Sequence, residues 1–283
     1  MDHLTNRTGQ TVHPPETGDH DASGHDASGH DASGHDAGRR LLRWELLLVF
    51  AITLGLSAMR SLLSLVESLL EPGPLADQAV ALNAPAARAD LIDLGFQLLR
   101  VLQLAAWGGL GAYLIVRGGL RLREIGLART PDRRDWGYGA LLASVIGIPG
   151  LGFYLVARAA GANLTVLPST LDDTWWRLPV LVLAAAANAW AEELLMVGYL
   201  VTRLRQLRFG GYAALAVSAV LRGAYHLYQG FGGFAGNLVM GLVFGWVWQR
   251  SGRLWPLVIA HTVIDVVAFV GYAALHERVG WLP

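Results

Sequence analysis

The sequence predicts an all-α fold: a polytopic membrane helix bundle of about seven transmembrane helices behind a disordered N-terminal tail. Three observations carry this. Of 283 residues, 53% are hydrophobic, and they fall in blocks near the ~20 residues a spanning helix needs rather than in amphipathic patterns. The 22 basic residues, all arginine, gather in alternate loops between those blocks. Several of the 10 tryptophans sit at block edges, where interfacial belts place them.

Composition excludes several functions. The formal net charge is +0, so no nucleic-acid footprint exists. With no cysteine there is no disulfide, thiol nucleophile or thiolate metal site, and the redox compartment is unreadable. The first apolar block follows about 40 polar residues, the wrong layout for a cleaved signal peptide. The first transmembrane helix is therefore expected to act as its own insertion signal.

Residues 1–40 repeat the unit His-Asp-Ala-Ser-Gly at 20–24, 25–29 and 30–34, and again in part from His35. No packed core can be built from such a segment, and a disordered tail is expected. His3, His13, His20, His25, His30 and His35 lie in it. A solvated linker repeat explains them better than loose metal chelation or pH sensing. The transmembrane domain follows over 41–274, and 275–283 form a short C-terminal tail that includes His276, read as surface.

The first span is expected over about 44–66, after Arg39, Arg40 and Arg43 mark a membrane edge. Within the following connection, 79–89 reads as a short interfacial helix. Further spans are expected over about 94–116, 137–157, 178–201, 212–228, 234–249 and 254–272. Gly230, Gly232, Gly233 and Gly236, with Phe231 and Phe234 between them, read as a tight or re-entrant turn joining the fifth and sixth. The loop after the second span holds Arg117, Arg121, Arg123, Arg129, Arg133 and Arg134. Arg203, Arg205 and Arg208 follow the fourth, and Arg250 and Arg253 the sixth. The opposite side holds few arginines: Arg88, Arg158, Arg177 and Arg278. The positive-inside rule then puts the N-terminus in the cytoplasm and the C-terminus outside. The expected location is a bacterial plasma membrane.

Polar residues inside the spans carry the function. Glu192 and Glu193 stand in Asn188-Ala-Trp-Ala-Glu-Glu-Leu-Leu-Met-Val197, His226 follows Arg222-Gly-Ala-Tyr, and His261 precedes Thr-Val-Ile-Asp265. At 1.5 Å per residue from the cytoplasmic arginines, Glu192 lies ~15 Å deep, His261 ~12 Å and His226 ~20 Å. An ionised group at such depth costs ~3 kcal/mol on insertion scales, so a shared polar cavity satisfies them best. His261 and Asp265 are one turn apart on one helix face, as are Asn188 and Glu192, and Arg222 and His226. Glu192 and Glu193 diverge by about 100° and cannot both point at one atom. One is expected to be chemical and the other structural.

A carboxylate in a low-dielectric cavity can act as general base toward water. Two imidazoles can bind a metal that activates the water, or can stabilise the developing oxyanion without one. Either arrangement hydrolyses an amide. Singly, each member has a plainer explanation: a lone intramembrane His is often an interhelical hydrogen-bond partner, and Asp265 could simply fix the tautomer of His261. The paired acids are hardest to explain without function.

At these residues the chain resembles the CPBP family of intramembrane proteases, which includes type II CAAX prenyl endopeptidases and the bacteriocin-processing Abi proteins. The resemblance covers about 175–272. It rests on Glu192-Glu193 for the family's Glu-Glu-x-x-x-Arg motif, His226 for Phe-x-x-x-His, and His261 with Asp265 for His-x-x-x-Asn/Asp. Gly198-Tyr199-Leu200 also resembles what commonly follows the first motif. The resemblance implies a peptide or protein substrate at the bilayer and a water activated by Glu192 with His226. His261 and Asp265 then position the scissile carbonyl. A metal set of His226, His261 and Glu192, holding zinc or another divalent ion, is one version; a metal-free site is the other. Two positions depart from the pattern: Val197 stands at the motif's Arg and Arg222 at its Phe. Arg222 is expected to supply the missing charge to Glu193 from the neighbouring helix. Two rivals remain: a catalytically silent scaffold or immunity protein of the same fold, which Val197 favours, and a small proton-coupled transporter. The absence of an internal inverted repeat argues against the transporter.

Overall fold

A computed structural model describes residues 27–127 and 130–275. The chain divides into two units, residues 1–41 and 42–283. In the first, the described residues form the start of helix α1 (Ala27–Ile52). Residues 27–40 lie within this helix, and residues 1–26 of the expected tail lie outside the described residues. Helix propagation costs little once an apolar segment has nucleated it. His3, His13, His20, His25 and His276 lie outside the described residues.

In the second unit, α1 breaks at Thr53 and the chain continues as α2 (Leu54–Leu70), bent by 50°. The Thr53 hydroxyl donates to the Val49 carbonyl at 2.7 Å. A Cβ at Gly55 would lie 2.5 Å from the Phe50 carbonyl oxygen, so the bend is closely packed. The expected first span is therefore a bent helix pair rather than one straight helix. The stretch 79–89 is no helix. It holds strand β1 (Ala79–Ala81), paired in parallel with β2 (Thr165–Leu167). Pro85 lacks a donor and biases the residue before it to extended backbone, which disfavours a helix there.

Helices α3 (Asp90–Arg117) and α4 (Arg133–Ala159) follow. Next, α5 (Arg177–Glu192) runs through a π-helix over Glu193–Val201 into the short α6 (Thr202–Gln206). The remaining helices are α7 (Gly211–Ala224), α8 (Phe231–Ser251) and α9 (Trp255–Leu275). Among the described residues, five helices are long and apolar enough to cross a membrane, or six if the bent α1–α2 pair is one span. The chain is an integral membrane helix bundle, as expected.

The expected span 212–228 is the exception. Helix α7 has 14 residues, or ~21 Å of rise, short of a ~30 Å hydrocarbon core. Its apolar run ends at Arg222, and a turn over Leu227–Gln229 reverses the chain at Gly230. Gly230 has φ +104°, and a Cβ there would meet the Ala162 carbonyl at 2.8 Å. This turn is bonded to the loop after α4: Leu164 N–H donates to Gln229 O at 2.9 Å, Phe231 N–H to Ala162 O at 3.0 Å, and Gly233 N–H to the Asn163 side chain at 2.8 Å. The α7–α8 turn thus reaches the far end of α4, and the tight turn expected at these glycines is present. α8 lies close against α7, where a Cβ at Gly241 would fall 3.0 Å from Ala219 Cα. Small residues permit such approach between apolar helices.

The arginine-rich end of the bundle is closed. Leu194, Leu195, Met196, Val197, Tyr199, Leu200 and Val201 pack with Ile125, Leu204, Trp248, Leu254 and Leu257 in the main apolar core. Arg203 fixes this end: Nη2 donates to Leu114 O at 2.5 Å and Nε lies 3.1 Å from Glu45, which also accepts from the Tyr199 hydroxyl at 3.0 Å. Beyond the spans, Asp132 and Asp135 close a reciprocal capping box at the start of α4. Arg253 clamps both: Nε to Asp135 at 2.7 Å and Nη2 to Asp132 at 2.6 Å. The Arg253 hydrogen bond is the main reason the Asp132 carboxyl sits below its usual range. Its stabilisation is therefore complete above an unfolded carboxyl pKa of ~3.9 and is lost as pH falls through the lower folded value. Arg253→Gln is expected to flatten the acid limb of a melting-temperature profile between about pH 5 and 3; an unchanged limb contradicts this.

Candidate active site

The site begins where α5 loses its α-helical register. From Glu193 the backbone widens to i→i+5 bonding for nine residues, a rare form that is found frequently at functional sites. The Ser218 hydroxyl on α7 donates to Met196 O at 2.8 Å and takes up one carbonyl of the widened segment. The register change falls between the two adjacent acids. Both now approach one guanidinium: Arg222 Nη2 lies 2.7 Å from Glu193 Oε1, and Nη1 lies 3.7 Å from Glu192 Oε2. The two acids meet different nitrogens of the guanidinium, so the divergence of about 100° expected for consecutive helical residues does not require them to point at one atom.

Their environments differ. Glu193 is 0% exposed and Glu192 4%. Glu193 Oε1 accepts from Arg222 and from His261 Nδ1 at 2.8 Å. Glu192 Oε2 accepts from the Tyr225 hydroxyl at 2.7 Å. The Arg222 separation lies within the reach that the swapped motif positions require. The guanidinium also stacks over Phe244, 5.8 Å from the ring centroid.

His226 follows the last turn of α7, in non-helical backbone. Its Nδ1 lies 2.9 Å from the Arg222 carbonyl oxygen. A carbonyl only accepts, so Nδ1 carries the proton and donates, leaving Nε2 free for a proton or a ligand. The Tyr225 and Tyr228 rings flank the imidazole at centroid distances of 4.7 and 6.3 Å. On α9, His261 Nε2 lies 3.6 Å from Asp265 Oδ2, which accepts from Asn188 Nδ2 at 3.0 Å. One polar chain therefore runs Asn188, Asp265, His261, Glu193, Arg222, Glu192, Tyr225 through the interior. Helices α5, α7 and α9 contribute to it.

Three atoms in this chain, Glu193 Oε2 and Arg222 Nε and Nη1, are buried without a protein hydrogen-bond partner. Such groups cost roughly 1–3 kcal/mol each unless a water or ion meets them. The metal reading fares less well. Among the described residues no group of three or more His, Asp or Glu side chains converges to hold an ion. His261 spends Nδ1 on Glu193, and the Arg222 charge already stands beside both acids. The set His226, His261 and Glu192 does not fit a metal in this arrangement.

Sequence reasoning passed over Tyr225, Tyr228 and Ser218. Only the Tyr-His-Leu-Tyr context of His226 hinted at the first two. Comparison with known proteins bears on the same stretch. The family model described as Type II CAAX prenyl endopeptidase Rce1-like matches residues 174–267. No curated protein and no solved structure matches the chain. The matched residues run from just before α5 through Asp265 and so contain every member of the polar chain. Across residues 174–267 the resemblance to the CPBP family therefore holds, through its Rce1-like type II CAAX prenyl endopeptidases.

Proposed function

We propose that the protein is an intramembrane endopeptidase that hydrolyses a peptide bond of a membrane-associated substrate, with Glu192 as the base toward water. The observation that carries this reading is the division of labour between the adjacent acids. Arg222 and His261 hold Glu193 in place, whereas Glu192 takes one hydroxyl bond and lies 3.7 Å from the Arg222 guanidinium. In the proposed reaction Glu192 accepts a proton from water, and His226, through its free Nε2, orients that water. The oxygen attacks the carbonyl carbon and forms a tetrahedral oxyanion. His261, held by Glu193 and by the Asp265–Asn188 pair, positions the carbonyl. Glu192 then returns its proton to the leaving amine as the C–N bond breaks. The balance is one water consumed, one carboxyl and one amine released. The arginine-rich end faces the cytoplasm of a bacterial plasma membrane in this proposal.

No step needs a metal, and the donor geometry supports leaving one out. The experiment is cleavage of a membrane-anchored peptide library by purified protein in liposomes, beside His226→Ala, with and without chelator. Wild type cleaves, His226→Ala is slower by ~10²-fold or more, and chelator leaves the rate unchanged. Activity abolished by chelator and restored by zinc would replace this mechanism with a metal-centred one.

A further inference from the structure

Tyr225 touches both groups that the proposed reaction assigns to the attacking water. Its hydroxyl donates to Glu192 Oε2 at 2.7 Å. Its ring lies against the His226 imidazole, with centroids 4.7 Å apart and planes tilted by 40°. The end of α7 explains this placement. Tyr225 caps that helix at φ −79° and ψ 3°, and His226 follows at φ −106° and ψ 5°. Both sit in the bridge region of backbone space, where turn and active-site residues gather.

The residue is fixed at three points. The buried Ser61 hydroxyl of α2 donates to the Tyr225 carbonyl at 2.8 Å, taking up an acceptor that the helix end leaves open. The ring is held by His226 and the hydroxyl by Glu192. On the acid, the Arg222 Nη1 approach at 3.7 Å falls on the same oxygen, Oε2. Both contacts thus address one side of the carboxylate and leave Oε1 for the water.

We propose that Tyr225 is a positioning residue for the reaction. It fixes the Glu192 carboxylate by Oε2, so that Oε1 takes the proton of water, and it holds that oxygen in place relative to the imidazole that orients the water. The proposal rests on the endopeptidase reading. The terminal torsion of a glutamate is broad, so an untethered carboxylate turns and exchanges its oxygens. One short bond from a fixed phenol stops this. The phenol gives up no proton in the reaction and acts through Glu192, not on the substrate. A misplacement of about 1 Å at a reacting group costs ~10²-fold in rate. A hydroxyl that merely satisfied a buried acid would leave turnover of the folded protein unchanged.

Tyr225→Phe tests this, because it keeps the ring against His226 and the backbone bond to Ser61 and removes one oxygen. Steady-state cleavage of a membrane-anchored fluorogenic peptide in liposomes is expected to show kcat lowered ~10- to 100-fold, with KM within about twofold of wild type. Tyr225→4-aminophenylalanine returns an N–H donor and is expected to recover part of kcat. A second readout needs no turnover. The infrared difference between wild type and Glu192→Gln isolates the Glu192 carboxylate band, which is expected to shift in Tyr225→Phe and to move back with 4-aminophenylalanine. An unchanged kcat, a loss confined to KM, or a fall in kcat and melting temperature that 4-aminophenylalanine does not reverse overturns the proposal. An unshifted carboxylate band in a cleaving protein overturns it alone. Wild type that cleaves nothing while the band still shifts removes the hydrolase reading, and the positioning role falls with it.

Discussion

Glu192→Gln lowers cleavage by ~10²–10⁴-fold, the usual worth of a positioned general base, and leaves the fold intact. The amide keeps the size of the carboxylate and a carbonyl to accept the Tyr225 hydroxyl, the hydrogen bond that Glu192 Oε2 makes. Its loss is therefore chemical. Glu193→Gln behaves differently, because Glu193 carries the Arg222 and His261 contacts on one oxygen at 0% exposure. Removing that charge leaves a buried guanidinium short of its nearest partner, which costs roughly 3–5 kcal/mol in comparable pairs. Activity and melting temperature fall together there. Activity assays and thermal denaturation in detergent separate the two. Equal thermal loss in both variants contradicts the assignment of base and brace.

Arg222→Phe is expected to be the most destabilising single change. It leaves Glu193 sealed in the interior without its cation and removes the nearest positive charge from Glu192. A loss of ~3–5 kcal/mol is a large share of the ~5–15 kcal/mol that holds a typical domain folded, and a strongly lowered melting temperature is the expected result. The informative variant is the double change Arg222→Phe with Val197→Arg, which returns both positions to the usual pattern of the family. Val197 is buried and four residues after Glu193. An arginine there stands on the same segment as Glu193 and approaches it less directly than in an α-helical (i, i+4) pair. The double variant recovers a large part of the thermal stability lost by Arg222→Phe, and Val197→Arg alone does not stabilise. A double variant no better than Arg222→Phe shows that the two arginine positions are not equivalent. The π-segment is the physical reason to expect partial recovery, since i→i+5 bonding turns position 197 away from its α-helical direction.

Much of the site was legible because intramembrane polarity is rare and costly. Glu192, Glu193, His226, His261 and Asp265 stood out against apolar surroundings, and one-turn spacing placed His261 with Asp265. The cross-helix partner of Glu193 was legible as well, since a missing arginine at Val197 and an extra one at Arg222 leave charges that must meet. What stayed hidden depended on contacts distant in sequence. The π-helix has no local signature in Glu-Leu-Leu-Met-Val-Gly-Tyr-Leu-Val; it is supported from α7 through Ser218. Strands β1 and β2 are three residues each and exist only as each other's partner. Helix α7 was read too long because Tyr225, Leu227 and Tyr228 extend the apolar run, although the bonds of Gly230 and Asn163 end it.

The most direct test of the central claim is mass spectrometry of reporter-peptide cleavage by purified protein in ¹⁸O-labelled water. Wild type is expected to release two fragments, with one ¹⁸O in the new carboxyl group, and Glu192→Gln in the same liposomes to release neither. Folded, monodisperse wild type that leaves the peptides intact, or fragments formed equally by Glu192→Gln, would contradict a Glu192-activated water.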